Sequence, residues 1–364
     1  MQFKFFLLVA HCSCLLRLSS ATETFDEKQE SLWYRMDMVA LERPISRLEL
    51  KLMTYNVNRF WKAEEFAHLK WDNRVDKIVE TVKKVNPDIL AIQEIAHLND
   101  AESIQGLYYR LSSEGYRCDE FYCNANLGSM GVATCYKQSR LFRTEVLSRW
   151  LSPNPLQSSD FAFEPGWGHI VGISILHPTA LVQPPQTGSP NSANAKPINQ
   201  IDYSSPPLIV FNTHFSRNSK AQHHSIPILA SIINSMGHDA SLKILIGDFN
   251  MYSQVKLQRL SSFKYFLPDC KLLTDNAILS SSGKEALGTW VGYPYDRCVL
   301  KSDENVGSGS PLDAIFVCTR RNFIHFDAMI SDNVFKVVKD SKIFPSDHLA
   351  LSVSIVVENS FPPE

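Results

Sequence analysis

The chain is short of several features that would place it quickly. Beyond its first 21 residues it has no run of ~18 apolar residues, so no later segment is built to cross a membrane as a helix. It has no C-x-x-C pair, which removes zinc ribbons. It has no Asn-x-Ser/Thr sequon, so glycosylation points to no compartment. It has no excess of one charge: 36 Lys+Arg stand against 38 Asp+Glu, a net of -2. That balance excludes anion binding by a bulk basic surface and leaves a local anion site open. Nor is there a basic run interleaved with aromatics. With 44% apolar residues, the low hydrophobicity of disordered chains is also absent.

What is present begins with an N-terminal signal. Lys4 precedes the apolar stretch 5–16, and Ser19-Ser20-Ala21 puts small residues at a cleavage site after Ala21. Residues 1–21 read as a cleaved secretory signal peptide, interrupted only by His11 and Arg17, and they predict secretion. Their removal takes Lys4 and Arg17 and no acid, so the mature net charge is -4. Six cysteines then remain: Cys118, Cys123, Cys135, Cys270, Cys298 and Cys318. An even number in an oxidising compartment invites disulfides, but the pairing stays open. Cys118 and Cys123 read as flanking a turn, and Cys135 and Cys318 as buried thiols in apolar runs.

At roughly 150 residues per domain, 364 residues suggest two, although single α/β units often run larger. Residues 22–47 read as a polar arm, 48–358 as the folded domain and 359–364 as a tail. Residues 48–57 alternate and then turn apolar, a strand. Residues 72–85 carry Val75, Ile78, Val79, Val82 and Val85 on one helical face, and Asn86-Pro87 ends that helix. Residues 88–95 read as a buried strand. The pattern recurs as a helix over 222–236 and a strand over 242–248. Further strands are predicted over 131–136, 169–176, 208–215, 312–318 and 349–357. The interleaving favours an α/β fold with two sheets and outer helices. The segment 177–207 holds seven of the nineteen prolines and reads as one long exposed loop.

Polar residues stand at the ends of these apolar runs, where side chains leave the core. They are Asn56, Glu94, Asn212, His214, Asp248 and Asn250, with Asp313 at a strand start and Asp347-His348 in a turn before the last strand. Each alone is an ordinary cap or turn residue. Gathered together, carboxylates, amides and imidazoles with few thiols suit a hard cation such as Mg²⁺ or Mn²⁺. Such a cation holds phosphate oxygens, and the imidazoles then move protons or stabilise charge.

The blocks MTYNV, DILAIQE, FNTHF, GDFN, LDAIF and SDH, in this order over about residues 48–357, resemble the endonuclease/exonuclease/phosphatase superfamily, the fold of deoxyribonuclease I and abasic-site endonucleases. One branch is similar in further blocks: Trp71-Asp72-Asn73-Arg74, the stretch 150–155, and 289–293. The resemblance implies a four-layer α-β-β-α sandwich of two packed mixed sheets with outer helices. It implies Glu94 as principal metal ligand, with Asn56 beside it and Asp347 as a second ligand. It implies that Asp248 and Asn250 orient or deprotonate water, that Asp313 holds the tautomer of His348, and that His214 bonds the developing phosphorane. Arg74, Asn212, His169 and Trp290 are the expected substrate-binding residues. His169 stands where the branch commonly carries an arginine, and it reads equally as a structural residue at a strand start.

The implied activity is metal-dependent hydrolysis of a phosphodiester, first of all as a secreted nuclease. A sphingomyelinase-like enzyme acting on a lipid headgroup is the alternative, with Phe161, Phe163 and Trp167 as candidate membrane-facing aromatics. A non-catalytic secreted binding protein that kept the fold is the other. No obligate protein partner is evident.

Overall fold

In the computed structural model the described residues are 47–59, 70–96, 103–123, 130–157, 168–182, 198–202, 205, 207–237, 241–251, 253–275, 277–279, 288–290, 311–319, 323–325, 328–331 and 345–358. They lie in one unit, Arg43–Glu364. The expected signal peptide, arm and C-terminal tail fall outside them, but for Arg47, which opens the first strand.

In chain order the elements begin with β1 (Arg47–Asn56), α1 (Trp71–Val85), β2 (Ile89–Ala96), α2 (Ser103–Ser113), β3 (Tyr116–Tyr122), β4 (Met130–Lys137) and β5 (Leu141–Trp150). Next come β6 (Ile170–Val182), β7 (Ile198–Ile201), β8 (Leu208–His214), α3 (Ser219–Ser235), β9 (Leu242–Asp248) and α4 (Ser253–Phe266). The chain continues through β10 (Cys270–Leu272), β11 (Ile278–Leu279), β12 (Asp313–Cys318), β13 (Phe323–His325), β14 (Met329–Ser331) and β15 (Ala350–Glu358).

α1 shows how locally the sequence determines these elements. Val75, Ile78, Val79 and Val82 recur at three- and four-residue spacing and are buried. Asp72 in the first turn and Lys83 and Lys84 in the last complement the helix dipole. Asn86 then takes a left-handed conformation (φ 55°), and its N–H bonds the Val82 carbonyl. Pro87 cannot extend the helix.

Two strand–helix–strand units set the architecture. β1 and β2 pair in parallel across α1, and β8 and β9 pair in parallel across α3. Most other pairings are antiparallel. The first sheet runs β11-β14-β15-β1-β2-β4-β3 with β13 beside β15, and the second runs β10-β12-β9-β8-β6-β5 with β7 beside β6. Strand alternation then sorts the side chains into layers. Leu50, Leu52, Ile89 and Ala91 of the first sheet meet Val210, Ile244, Ile246, Ile315 and Val317 of the second in an inter-sheet core. On the outer face of the first sheet Met53, Tyr55, Leu90 and Ile92 pack with Val75, Ile78, Leu107 and Leu111 of α1 and α2. On the outer face of the second, Ile209, Phe211, Leu245 and Phe316 pack with Ile226, Leu229, Ile233 and Phe263 of α3 and α4. This is the expected four-layer α-β-β-α sandwich.

Two expectations need correction. The segment 177–207 is not one loop: β6 continues to Val182 and pairs with β7 from Thr179↔Ile201 to Val182↔Ile198. The prolines masked a strand-forming Thr-Ala-Leu-Val run, and residues 183–197 lie outside the described residues. The cysteines also differ. Cys118 bonds Cys135 and Cys270 bonds Cys318, in each case between directly opposed residues of antiparallel neighbours. Each bond ties the strand that ends a sheet's order, β3 or β10, to its neighbour. Cys135 and Cys318 are therefore not thiols, and Cys118 and Cys123 flank no turn, since β3 runs through Tyr122. The Cys123 thiol donates to the Gly168 carbonyl.

Candidate active site

The topology dictates where polar side chains collect. The carboxyl ends of both parallel pairs deliver Asn56, Glu94, His214 and Asp248. β12 and β15 run antiparallel to β9 and β1, so their amino ends reach the same place. Asp313 is thereby opposite Asp248 in register, and His348 lies just ahead of β15.

Backbone irregularities do the final aiming. The β2–β4 register shifts between Gln93 and Ile95, and Glu94 sits in that bulge at φ 57°. Plain alternation would put Glu94 on the outer face with Leu90 and Ile92. The extra residue instead lets Ile95 fill that outer position and frees Glu94 for the cluster. Gly247 is needed for a different reason. A Cβ there would lie 2.0 Å from the Thr213 carbonyl oxygen, at φ 151°, so only glycine lets β8 and β9 approach beside Asp248. The turns beyond β1 and β9 are held by their own polar residues: the Asn58 N–H bonds Asn56 Oδ1 at 3.0 Å, and the Asn250 N–H bonds Asp248 Oδ1 at 2.8 Å.

The site itself is a buried polar network. Asn56 Nδ2 donates to Glu94 Oε1 and to Asp248 Oδ2, both at 3.0 Å. His214 Nε2 is 3.4 Å from Asp248 Oδ2 and 3.9 Å from Glu94 Oε1. Asn250 Nδ2 bonds the Phe215 carbonyl at 2.7 Å and His214 Nε2 at 3.1 Å. His348 Nδ1 pairs with Asp313 Oδ2 at 2.8 Å, and the Thr289 hydroxyl donates to the same oxygen. His348 Nε2 is 3.8 Å from Asp248 Oδ2. Ser346 Oγ donates to the Asn56 carbonyl at 2.6 Å, which joins the turn before β15 to the end of β1.

The charges are not balanced. Burial, reinforced by Asp347, raises the Glu94 carboxyl above its usual range. Burial and the Asp313 carboxylate raise Asp248 as well. Burial, with His169, Arg217 and His348 nearby, holds His214 well below the ordinary imidazole value, so it is neutral. Burial also opposes charge on His348, but Asp313, Asp248 and Asp347 outweigh it and lift the imidazole to about 10. His348 is therefore a cation at neutral pH.

Ligand atoms of Glu94, His214 and Asp248 lie within 4.8 Å of one another, as do those of Asp248, Asp313 and His348. Asp347 is buried, and its Oδ2 has no hydrogen-bond partner among the described residues. Carboxylate oxygens and a neutral imidazole, crowded and short of positive charge, fit a hard divalent cation. Asn56 does not fit as a ligand here, because it turns its amide nitrogen to the carboxylates and its oxygen to Asn58. It holds the ligand set in place instead.

The expected substrate-binding residues divide. Arg74 and Asn212 are not presented to a ligand. Arg74 is 1% exposed, and its guanidinium donates to the carbonyls of Val57 (3.0 Å), Asn58 (2.8 Å) and Pro345 (2.7 Å). Burial lowers it only to about 10, so it remains a buried cation beneath the cluster. Asn212 crosses between the sheets: Nδ2 donates to the Ile92 and Ala133 carbonyls, and Oδ1 accepts from Gln93 Nε2 at 2.9 Å. Gln93 Oε1 in turn accepts from Thr54 Oγ1. His169 and Trp290 do border the cluster. His169 Nδ1 contacts the His214 carbonyl at 2.9 Å, and Trp290 forms an isolated bridge with His348.

Sequence reasoning passed over Thr289, Gln222 and Arg217. Gln222 Nε2 donates to the carbonyls of Ser216 and Asn250, and its Oε1 accepts from Arg259. The threonine of the 289–293 block was visible, but its bond to Asp313 was not.

The family model described as Endonuclease/Exonuclease/phosphatase family matches residues 53–348. Among solved structures, an endonuclease/exonuclease/phosphatase family protein from Bacteroides thetaiotaomicron is 18% identical with a TM-score of 0.61, covering 85% of this chain and 98% of its own. ANGEL2, a 2',3'-cyclic phosphatase, is 15% identical with a TM-score of 0.57, covering 86% and 96%. D. rerio TDP2 complexed with single-strand DNA product is 12% identical with a TM-score of 0.54, covering 84% and 98%. At these identities the likeness is one of fold. Members of this family are hydrolases of phosphoester bonds. With the model match spanning most of its length, the chain belongs to the endonuclease/exonuclease/phosphatase family.

Proposed function

We propose that the protein is a secreted, divalent-metal-dependent phosphodiesterase that cleaves nucleic acid by attack of water. One observation carries the reading: Glu94, His214 and Asp248 converge within 4.8 Å while the His348–Asp313 pair stands beside them. Mg²⁺ or Mn²⁺, when bound, supplies the positive charge that draws in the phosphate and polarises its oxygens. Glu94 and Asp347, whose buried Oδ2 has no hydrogen-bond partner among the described residues, are the residues that would hold it, with Asp248 and His214 beside them.

The remaining work falls to the chain's own groups. Asp248, raised in basicity by burial, takes a proton from the attacking water, and Asn250 keeps its neighbour His214 in place. His348 is charged by Asp313 and lies toward Asp248, so it donates to a phosphate oxygen as charge builds. His214 is held neutral, and its Nε2 lone pair accepts from Asn250 Nδ2 at 3.1 Å. The expected bond from His214 to the phosphorane is therefore not part of this proposal.

The nucleic-acid substrate is supported by the TDP2 neighbour's DNA product and by an intact set of site residues. Secretion is supported by the N-terminal pattern and by two disulfides, which persist in oxidising compartments. The lipid reading leans on Phe161, Phe163 and Trp167, which lie outside the described residues.

The test is a purified chain starting at Thr22, with Mn²⁺ or Mg²⁺, against single- and double-stranded DNA, RNA, sphingomyelin and bis-p-nitrophenyl phosphate. Cleavage of nucleic acid, abolished by EDTA and by Asp248→Ala or His348→Ala with folding intact, is expected. Hydrolysis of sphingomyelin alone, or activity surviving EDTA, would overturn the proposal.

A further inference from the structure

The β9–β12 pair has two ends. Asp248 and Asp313 stand at one, and Lys243 and Cys318 at the other. At this second end lies a cavity of about 260 Å³. Its walls are the last turn of α3 at Ile233 and Asn234, the start of β9 at Lys243, and the turn 267–269 between α4 and β10. Both cysteines of the 270–318 disulfide line it. Register explains the placement. Cys318 is directly opposed to Cys270 on one side and to Lys243 on the other. Opposed residues of neighbouring strands point to the same face, so Cys270, Cys318 and Lys243 stand in one row. Cys270 is half-buried on the short terminal strand, and Cys318, one strand further in, is 6% exposed. Among its contacts, Lys243 Nζ donates to the Ile233 carbonyl at 3.0 Å, which holds the ammonium at the cavity wall.

A disulfide exchanges when a thiolate reaches one of its sulfurs, and in a folded protein access sets the rate. The two disulfides differ in this respect. Cys118 is half-buried too, but Cys135 is 0% exposed, and the pair packs with Leu111 and Tyr116 in the layer beneath α1 and α2. The 270–318 bond instead forms part of a cavity wall. The catalytic end is insulated from events there. Asp313 stays opposed to Asp248 through the whole β12–β9 ladder, and just beyond β10 the Leu273 N–H still bonds the Ile315 carbonyl at 2.9 Å.

We propose that Cys270–Cys318 is a thiol-exchange site, at which a low-molecular-weight thiol entering the cavity forms a mixed disulfide with Cys270. The incoming thiolate attacks Cys270 Sγ, on the more exposed residue of the pair. A bond forms between the two sulfurs, the Cys270–Cys318 bond breaks, and its electron pair leaves on Cys318 Sγ. The new thiolate stands in the row with the Lys243 ammonium, and a neighbouring cation favours a thiolate. Attack of Cys318 on the mixed disulfide expels the small thiol and restores the original bond, so the modification is reversible. The site is independent of the phosphodiesterase reading.

The test incubates the chain starting at Thr22, folded and without denaturant, with excess reduced glutathione at about pH 8, where the thiolate is well populated. Thiols are trapped at intervals with N-ethylmaleimide, and the peptides are mapped by mass. Glutathione on Cys270 and maleimide on Cys318 are expected, at least about ten-fold faster than any change at Cys118 or Cys135. The modified protein should keep its native circular dichroism spectrum. Asn234 is exposed, so Asn234→Trp narrows the cavity without touching the core. That variant should slow exchange at 270–318 about ten-fold and leave 118–135 as in the parent. No adduct on Cys270, or both disulfides opening together at the rate of global unfolding, overturns the site. Glutathione on Cys318 overturns the direction of attack. An unchanged rate in a folded Asn234→Trp overturns the cavity as the route.

Discussion

Replacing Arg74 by lysine separates two readings of that residue. The sequence placed it with substrate, whereas the structure gives it to the Val57, Asn58 and Pro345 carbonyls. These bonds join the turn after β1, which follows Asn56, to the turn that carries Asp347 and His348. A lysine keeps the charge but has one compact head, and it satisfies one of the three carbonyls. Two buried carbonyls then lose their donor at about 1–3 kcal/mol each, so Arg74→Lys should cost about 2–6 kcal/mol. For a domain of this size that lowers the melting temperature by about 3–9 °C. Thermal and urea unfolding should be run in EDTA, so that bound metal does not mask the loss. Mn²⁺ affinity should fall as well, because the two turns that frame the cluster are no longer joined. Stability within about 0.5 kcal/mol of the parent, together with a raised KM, would refute this reasoning and restore Arg74 to substrate.

Four further outcomes follow from the same geometry. Mn²⁺ at a hundred times its Kd should stabilise the protein by about 2.7 kcal/mol in thermal unfolding, and Glu94→Gln should remove most of that gain. Glu94→Gln should also stabilise the metal-free protein by roughly 1 kcal/mol, because it relieves a buried carboxyl while its amide oxygen still accepts from Asn56; a less stable metal-free variant in urea would contradict this. Gly247→Ala should cost more than about 3 kcal/mol, since the added methyl would meet the Thr213 carbonyl at 2.0 Å, and near-parent stability in urea would sink the close-approach argument. Replacing both cysteines of the 118–135 or the 270–318 pair by serine should cost about 3 or about 4 kcal/mol, scaled from sequence separations of 17 and 48, with reductant mimicking both in thermal unfolding.

The parts of this fold that were legible in the sequence are those where one local rule decides. α1 is bounded by Asn86-Pro87 and patterned by valines, so its reading and its place agree to within a residue. The strands ending in Asn56, Asp248 and Cys318 are apolar runs stopped by a change of character, and they too agree. α2, α4, β3 and β5 went unread because their apolar residues do not keep one clean period, and neighbours decide what they become. The disulfides were illegible for a related reason. Opposed registers bring Cys118 to Cys135 and Cys270 to Cys318, and register is a property of two strands at once.

The site was legible as a set of residues and not as a set of roles. The polar residues named from the sequence alone (Asn56, Glu94, Asn212, His214, Asp248, Asn250, Asp313, Asp347, His348) do come to the one end of the sandwich, because two parallel pairs send their carboxyl ends there and their antiparallel neighbours send their amino ends. What alternation could not tell is which way a side chain faces once the ladder breaks. Glu94 belongs by count to the outer face, and only the bulge beside Gln93 brings it to Asn56. The bulge is itself held from the second sheet, where Asn212 accepts from Gln93 and ties the Ile92 carbonyl. Asn212 thus braces Ile92 and Gln93, the residues that lead into the bulge, rather than a ligand. A buried amide that aims a carboxylate and an amide that binds substrate look alike in a sequence. They differ only in whether their donors and acceptors are already spent, which is settled by packing across the two sheets.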